Sequence, residues 1–380
     1  MRSSIYFLLF ASIFSSLLFI GCKESSYDIE MLAHDPETDS IVYKVNTVET
    51  LTDLHRLEGR ATTVLGGLSI ELDYQLQEVR WNEVGSSVAF NALKAGDVYY
   101  PEDYSSLAMI SVYYGIERAM LFFESVGMEK NRLENLETYY FAEVISIDEL
   151  GQIEDEAAAN NAFYMPIDEN DRGFYILPFT IDVGVPLSMN PGVLTHEYTH
   201  AVFQELILDN LTNGLAAGQV NDNYLYGLNE GLADVFAVAL TGDPDYIRPS
   251  ISDIQVTRNA AEIIEYKAVY DMDAESLGPL QFNPYVIGAF VSATLYEMER
   301  RFQGLPSNST GIPGLAMRQE VATAAFSSMK ALGDYGAEYF VLTDFFNQLL
   351  SQFSAARQPV ACQVLAERYA IHYSELEVCH

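Results

Sequence analysis

The chain has 380 residues, 49% of them hydrophobic, and carries 54 acidic side chains against 20 Lys and Arg, a formal charge of −34. That apolar content is enough for large buried cores and excludes a disordered chain. So strong an acidic balance keeps a protein soluble and excludes charge-driven binding to nucleic acid or to an anionic membrane surface.

In chain order, residues 1–21 hold Arg2 and then apolar runs through Ile5–Phe10 and Leu17–Ile20, the pattern of a secretory signal peptide. An uncleaved anchor is the competing reading, since roughly 18 apolar or small residues just span a bilayer. Phe19-Ile-Gly-Cys22 resembles a bacterial lipobox, which implies acylation of Cys22, a membrane attachment through that lipid and, with Lys23 next to it, sorting to the outer membrane; plain secretion is the alternative. Residues 22–60 are polar and mixed, and read as a tether followed by the first ordered elements, with His34 and His55 as surface residues. Strands are expected over Leu68–Val79 and Val88–Leu93. From Asp103 the pattern turns helical, and Leu107, Ile110, Tyr114, Leu121 and Phe122 predict a long buried helix reaching Gly127. Tyr139–Ile147, Asn161–Pro166 and Gly173–Asp182 read as strands. The acidic turn Asp168–Gly173 between the last two is a candidate calcium site, although such a cluster is more often a hairpin tip.

The segment that demands a particular chemistry is Asn190-Pro-Gly-Val-Leu-Thr-His-Glu-Tyr-Thr-His-Ala-Val-Phe203. Asn190 can cap a helix and Pro191 suits its first turn. One helical turn then separates His196 from His200 on a single face, where two imidazoles converge on one cation, with Glu197 beside them as a base. A catalytic zinc needs a third ligand. Leu228-Asn-Glu-Gly-Leu-Ala-Asp-Val-Phe236 offers Glu230 on a second apolar helix. Asp234, four residues on, can accept the second N–H of a ligating histidine and fix its tautomer.

Those two motifs resemble the glutamate-zincin metallopeptidases, with thermolysin and fungalysin as the nearest patterns. Further stretches agree. Asn161-Ala-Phe-Tyr164 resembles the edge segment that pairs with substrate, which implies a substrate-binding role for Asn161 and Ala162. Asp245–Asp253 resembles the segment carrying the arginine that holds a substrate carbonyl, which would be Arg248. Tyr285-Val-Ile-Gly288 resembles a fungalysin stretch in which a histidine donates to the oxyanion. Here Tyr285 stands in that place, and its hydroxyl can make the same kind of bond. Tyr224 or Tyr226 would assist the oxyanion less plausibly, because tyrosines are frequent in this chain.

Beyond Glu230 the chain reads as helices over Asn259–Val269, Val286–Phe302, Met317–Leu332 and Tyr339–Phe353, with residues 304–314 a loop. Cys362 and Cys379 are left to pair with each other in an oxidising compartment, or to stay free. The expected architecture is α+β: a β-rich N-terminal lobe over residues 61–203 and a helical C-terminal lobe over 204–380, with the zinc cleft between them. The expected activity is zinc-dependent hydrolysis of a peptide or protein outside the cytoplasm. Its rival is a lipid-anchored scaffold that keeps zinc and hydrolyses nothing.

Overall fold

A computed structural model describes residues 25–35, 40–73, 78–133, 136–147, 153–154, 161–168, 171–179, 184–212, 222–251, 258–278, 281–306, 311–335 and 340–380. The expected signal peptide, Cys22, part of the acidic turn after Asp168, the end of the strand expected to reach Asp182 and part of the 304–314 loop lie outside them.

The chain enters as β1 (Ser25–Asp35) and β2 (Ser40–Asp53), an antiparallel pair in register at Ile29↔Asn46 and Leu32↔Tyr43. Ile29, Met31 and Ala33 alternate into the core, as a half-buried strand requires. The first ordered elements expected within 22–60 thus begin by Ser25 and belong to the sheet; exposed Tyr43 and Val45 on β2 blur the two-residue period. Seven strands follow: β3 (Glu58–Gly59), β4 (Thr63–Gly66), β5 (Ser69–Asp73), β6 (Glu78–Glu83), β7 (Ser86–Ser87), β8 (Ala92–Ala95) and β9 (Val98–Pro101).

Helix α1 (Tyr104–Ser125) starts where Asp103 accepts the Ser106 N–H at 2.7 Å. It is buried on most sides. Its Glu117 carboxylate accepts the N–H groups of Glu49 at 2.8 Å and Thr50 at 2.7 Å and the Thr50 hydroxyl, pinning the helix to β2. The strand expected over Tyr139–Ile147 is two strands, β10 (Glu137–Tyr140) and β11 (Glu143–Ile147), in different sheets. Phe141, at φ 55°, makes the break, a conformation costly for an aromatic residue. After β12 (Ile153–Glu154), the hairpin β13 (Ala162–Asp168) and β14 (Asp171–Ile176) completes the sheets.

Among the described residues one sheet has ten strands, in the order β13-β14-β10-β4-β3-β2-β1-β9-β8 with β7 on β4, and a second has the order β12-β11-β5-β6. Among the described residues β13 is a terminal strand, with one edge unpaired.

The rest is helical: α2 (Pro191–Phe203), running on through a π-helical turn at Gln204–Leu208 into α3 (Asp209–Thr212), then α4 (Asp222–Thr241), α5 (Ala268–Ser276), α6 (Pro284–Phe302), α7 (Leu315–Tyr335), α8 (Leu342–Gln352) and α9 (Gln358–Arg368). The protein is thus a mixed α/β molecule with a large sheet. Its main apolar core extends from Ile29 to Leu376 and takes in residues on both sides of the 203/204 division. The helix expected over Asn259–Val269 begins only at Ala268. Tertiary demands override its apolar spacing, since Arg258 reaches down to Asp234 while Tyr266 packs on Phe290 and Tyr369. Cys362 and Cys379 form a disulfide that ties α9 to the C-terminal residues.

Candidate metal centre

The helix carrying the His-Glu-x-x-His motif is positioned at its N-terminus by Asn190. The amide oxygen of Asn190 accepts the Gly192 N–H at 2.9 Å, while its amide nitrogen donates to the Tyr246 carbonyl at 2.8 Å and to Ser250. α4 and α6 then approach closely through small residues. A Cβ added at Gly231 would meet Val291 Cβ at 2.7 Å and the Gly288 carbonyl at 2.9 Å, and one at Gly288 would lie 3.0 Å from Glu230 Cβ. This close approach carries Tyr285, at the start of α6, to the side of Glu230.

His196, Glu197 and His200 each bring a ligand-type atom within 4.8 Å of the others. The two Nε2 atoms face each other at 3.0 Å. Both Nδ1 atoms are engaged elsewhere: His196 Nδ1 bonds Asp234 Oδ1 at 3.0 Å, and His200 Nδ1 bonds the Asn229 amide oxygen at 2.9 Å. With the protons on Nδ1, both Nε2 lone pairs point to one place. Glu230 reaches the same place, with Oε2 3.3 Å from His196 Nε2 and Oε1 3.8 Å from His200 Nε2.

Of the two glutamates near the histidines, Glu230 is the better third ligand. Glu197 Oε2 already accepts the backbone N–H of Tyr164 at 2.9 Å, whereas Glu230 Oε2 is buried without a hydrogen-bond partner. An orphaned buried carboxylate oxygen beside two facing imidazole nitrogens is what a cation would satisfy. The local charge agrees. With both imidazoles neutral, as metal binding requires, Glu197, Glu230 and Asp234 bring three carboxylates and Arg258 one guanidinium, a deficit that a divalent ion would match. Nitrogen and carboxylate donors of this kind suit zinc.

Asp234, expected as the partner of a ligating histidine, holds that position and more. Its Oδ1 also accepts the Tyr246 hydroxyl at 2.5 Å and Arg258 Nη2 at 2.5 Å. Burial alone would raise its pKa, but Arg258 and His196 hold it well below the usual carboxylate range. Burial and Arg258 draw the His196 imidazole down, yet the Asp234 and Glu230 carboxylates outweigh them and lift it to about 9. Burial pushes the Glu197 carboxyl up. The Glu230 charge, with burial behind it, raises the Tyr285 phenol, which therefore stays protonated.

Asn161, Ala162, Glu197, Glu230 and Tyr285 all line one cavity of about 430 Å³ with both histidines. Arg248 does not: its side chain is 77% exposed and pairs with Asp245. The arginine in the cavity is Arg258, its Nε and Nη2 bound to Asp234 and its guanidinium 5.0 Å from the centre of the Tyr285 ring. The resemblance that points to Arg248 lies in a loop whose register no periodicity fixes. A cation balancing buried Asp234 was the signal that pointed further along. Tyr246 was missed for the same reason. Tyr224 points away, its hydroxyl donating to Asp271 at 2.7 Å, while Tyr226 is on the cavity wall. The side chains of Asp168 and Asp171, named as candidate calcium ligands, lie outside the described set.

No protein-family model matches this chain, and no curated protein does.

Proposed function

We propose that the protein is a zinc-dependent metallopeptidase with a thermolysin-like arrangement, in which a β-rich lobe and a helical lobe flank the zinc cleft. His196, His200 and Glu230 are its metal ligands, and the observation that carries the reading is the convergence of their three side chains beside a separately anchored Glu197. Bound zinc would supply a Lewis acid that polarises the substrate carbonyl and lowers the pKa of a water molecule. Glu197 takes a proton from the attacking water and returns it to the leaving amine. Its hydrogen bond from Tyr164 fixes the carboxylate, and its raised pKa suits a group that must both accept and donate. Arg258, which lines the cavity, takes the task expected of Arg248 in this reading, holding a substrate carbonyl. The Tyr285 hydroxyl, protonated beside Glu230, is the candidate oxyanion donor.

Glu197→Gln tests the reading. It deletes the base and no ligand, so zinc content should stay at the wild-type level while hydrolysis of a mixed peptide library all but disappears. Unchanged turnover in the zinc-replete variant would refute the mechanism.

The setting we propose is the bacterial cell envelope, with Cys22 lipidated and anchored in the outer membrane. The Cys362–Cys379 disulfide supports an oxidising compartment. Mass spectrometry of the mature N-terminus tests it, and an unmodified start at another residue would contradict it.

A further inference from the structure

Away from the cavity, Asp271 on α5 gathers side chains from separate parts of the chain. Its Oδ1 accepts the buried hydroxyls of Tyr224 at 2.7 Å and Tyr266 at 2.9 Å. Its Oδ2 lies 3.0 Å from Nε2 of His372, in the 3₁₀ turn Ala370–Glu375 that follows α9. The other ring nitrogen, Nδ1, lies 3.0 Å from Glu375 Oε1. Ionised carboxylates only accept hydrogen bonds, and an imidazole donates from both nitrogens only when it carries both protons. The geometry is therefore that of an imidazolium held between two carboxylates. A neutral ring would keep one bond and set a nitrogen lone pair against an oxygen at the other.

Two of the segments that meet at Asp271 lead to the cavity. Tyr224 is on α4, the helix that carries Tyr226 and Glu230 into the cavity wall. Tyr266 lies in the irregular chain from Arg258 to Lys267. That chain is fastened at Ala260, whose N–H donates to the Pro244 carbonyl at 2.8 Å, and at Tyr266, whose N–H donates to the Arg368 carbonyl at 2.7 Å. The Asn223 amide ties α4 to α5 beside them, donating to the Ala274 and Leu277 carbonyls at 2.9 Å. The Cys362–Cys379 disulfide spans the 3₁₀ turn, so the turn stays beside Asp271 even when its side chains let go.

The groups that face His372 favour its charge. Asp271 comes from α5 and Glu375 from its own turn, while the rings of Tyr266 and Tyr369 lie 5.8 and 5.0 Å away. Burial raises both phenols, so they add no charge. Tyr224 of α4 meets His372 through Asp271, and from α8 the Thr343 hydroxyl donates to Glu375 at 3.2 Å. Burial draws the imidazole down, but its bonds to Glu375 and Asp271 outweigh this and raise it above 6.5. A raised pKa means that the docking is at full strength below pH 6.5 and is lost as pH rises through the folded-state value.

We propose that His372 is a proton-operated clasp: protonated, it docks the C-terminal turn on Asp271 and tightens the chain segments leading to Arg258 and to the first turns of α4; deprotonated, it releases them. The clasp itself does not depend on the peptidase reading, but its effect on hydrolysis does.

The test is amide hydrogen exchange of the intact, disulfide-bonded protein between pH 5.5 and 8.5, corrected for the intrinsic pH dependence of exchange, for wild type, His372→Gln and Glu375→Gln. In wild type, protection over residues 222–230, 258–271 and 369–376 should fall at least about tenfold as pH rises, the worth of one hydrogen bond to a charged group. His372→Gln should be flat at the low level, and Glu375→Gln should move the transition to lower pH. On a cleaved peptide, the KM of His372→Gln should exceed that of wild type below the transition and equal it above, a ratio from which titration of the metal site cancels. Wild-type protection that does not change with pH, or a transition unmoved in Glu375→Gln, overturns the clasp. A transition confined to residues 369–376 overturns its coupling to the cavity. The exchange transition in a protein that cleaves no peptide would uphold the clasp and overturn the peptidase reading.

Discussion

Helix α6 passes two sites of buried charge, one at each end, and they are balanced differently. Near its C-terminus Glu297, only 1% exposed, is held by Arg301 at 2.7 Å, Arg300 at 3.4 Å and Arg368 at 3.8 Å. Three guanidiniums surround one carboxylate, and Arg301 also pairs with Glu367, so here carboxylate charge is met by protein cations. At the N-terminal end Tyr285 stands over a site with three carboxylates, one guanidinium and a buried Glu230 oxygen without a donor. Burying charge without partners is costly, so a chain with 20 basic residues that gathers arginines at one end and withholds them at the other leaves the second end short by the charge of a divalent ion. The first cluster reads as structural, and the second is the one proposed above to hold a metal.

If that contrast is right, cutting the Glu297 cluster should damage stability rather than chemistry. Glu297→Ala leaves arginines buried without their counterion and should cost about 3–5 kcal/mol in denaturant unfolding, with zinc content per folded chain unchanged. A loss of zinc at full stability would mean the two ends are not distinct.

At the other end a change of one atom should damage chemistry rather than stability. Tyr285→Phe removes only the hydroxyl and should lower kcat by roughly 10²–10³, with KM and the unfolding midpoint little altered. A variant with wild-type kcat would show that the ring only packs against Arg258.

A third change sharpens the comparison through pH. Glu299, on the same helix, is buried with an unpartnered Oε2; burial, only partly opposed by Arg318, lifts its carboxyl from 4.5 to about 8. Below pH 4.5 both folded and unfolded chains carry the proton. Between 4.5 and 8 only the folded chain does, so rising pH favours unfolding, and above 8 the effect levels off. Relative to wild type, Glu299→Gln should gain stability across that window, by on the order of 1 kcal/mol per pH unit, then run parallel. Parallel curves from pH 4 to 9 would mean that Glu299 is ionised in the folded protein.

What could be read in the sequence was what is local. His196 and His200 lie one turn apart on any helix, and Glu230 and Asp234 one turn apart on another, so both motifs were legible as side chains sharing a face. α1, α6, α7 and α8 were legible from apolar spacing, each within a few residues of its observed ends. Arg258 and Tyr246 were not, because they come from irregular chain whose path is set by the buried Asp234 they bind. Nor were the hairpin over residues 25–53, whose β2 carries apolar Tyr43 and Val45 on its exposed face, and the break at Phe141, which depends on two sheets meeting there. The π-helical turn after Phe203 leaves no periodic signature of its own.

Whether Glu230 completes a metal site is tested most directly by zinc titration of the chelator-treated protein by calorimetry, for wild type and Glu230→Ala. Losing partners one shell further out typically costs 10–100-fold in metal affinity, so deleting a ligand should weaken binding by at least about 100-fold. One zinc per wild-type chain is expected, and that loss in the variant, with the fold retained. Wild-type protein that takes up no zinc, or a variant that binds it as tightly as wild type, would contradict that expectation.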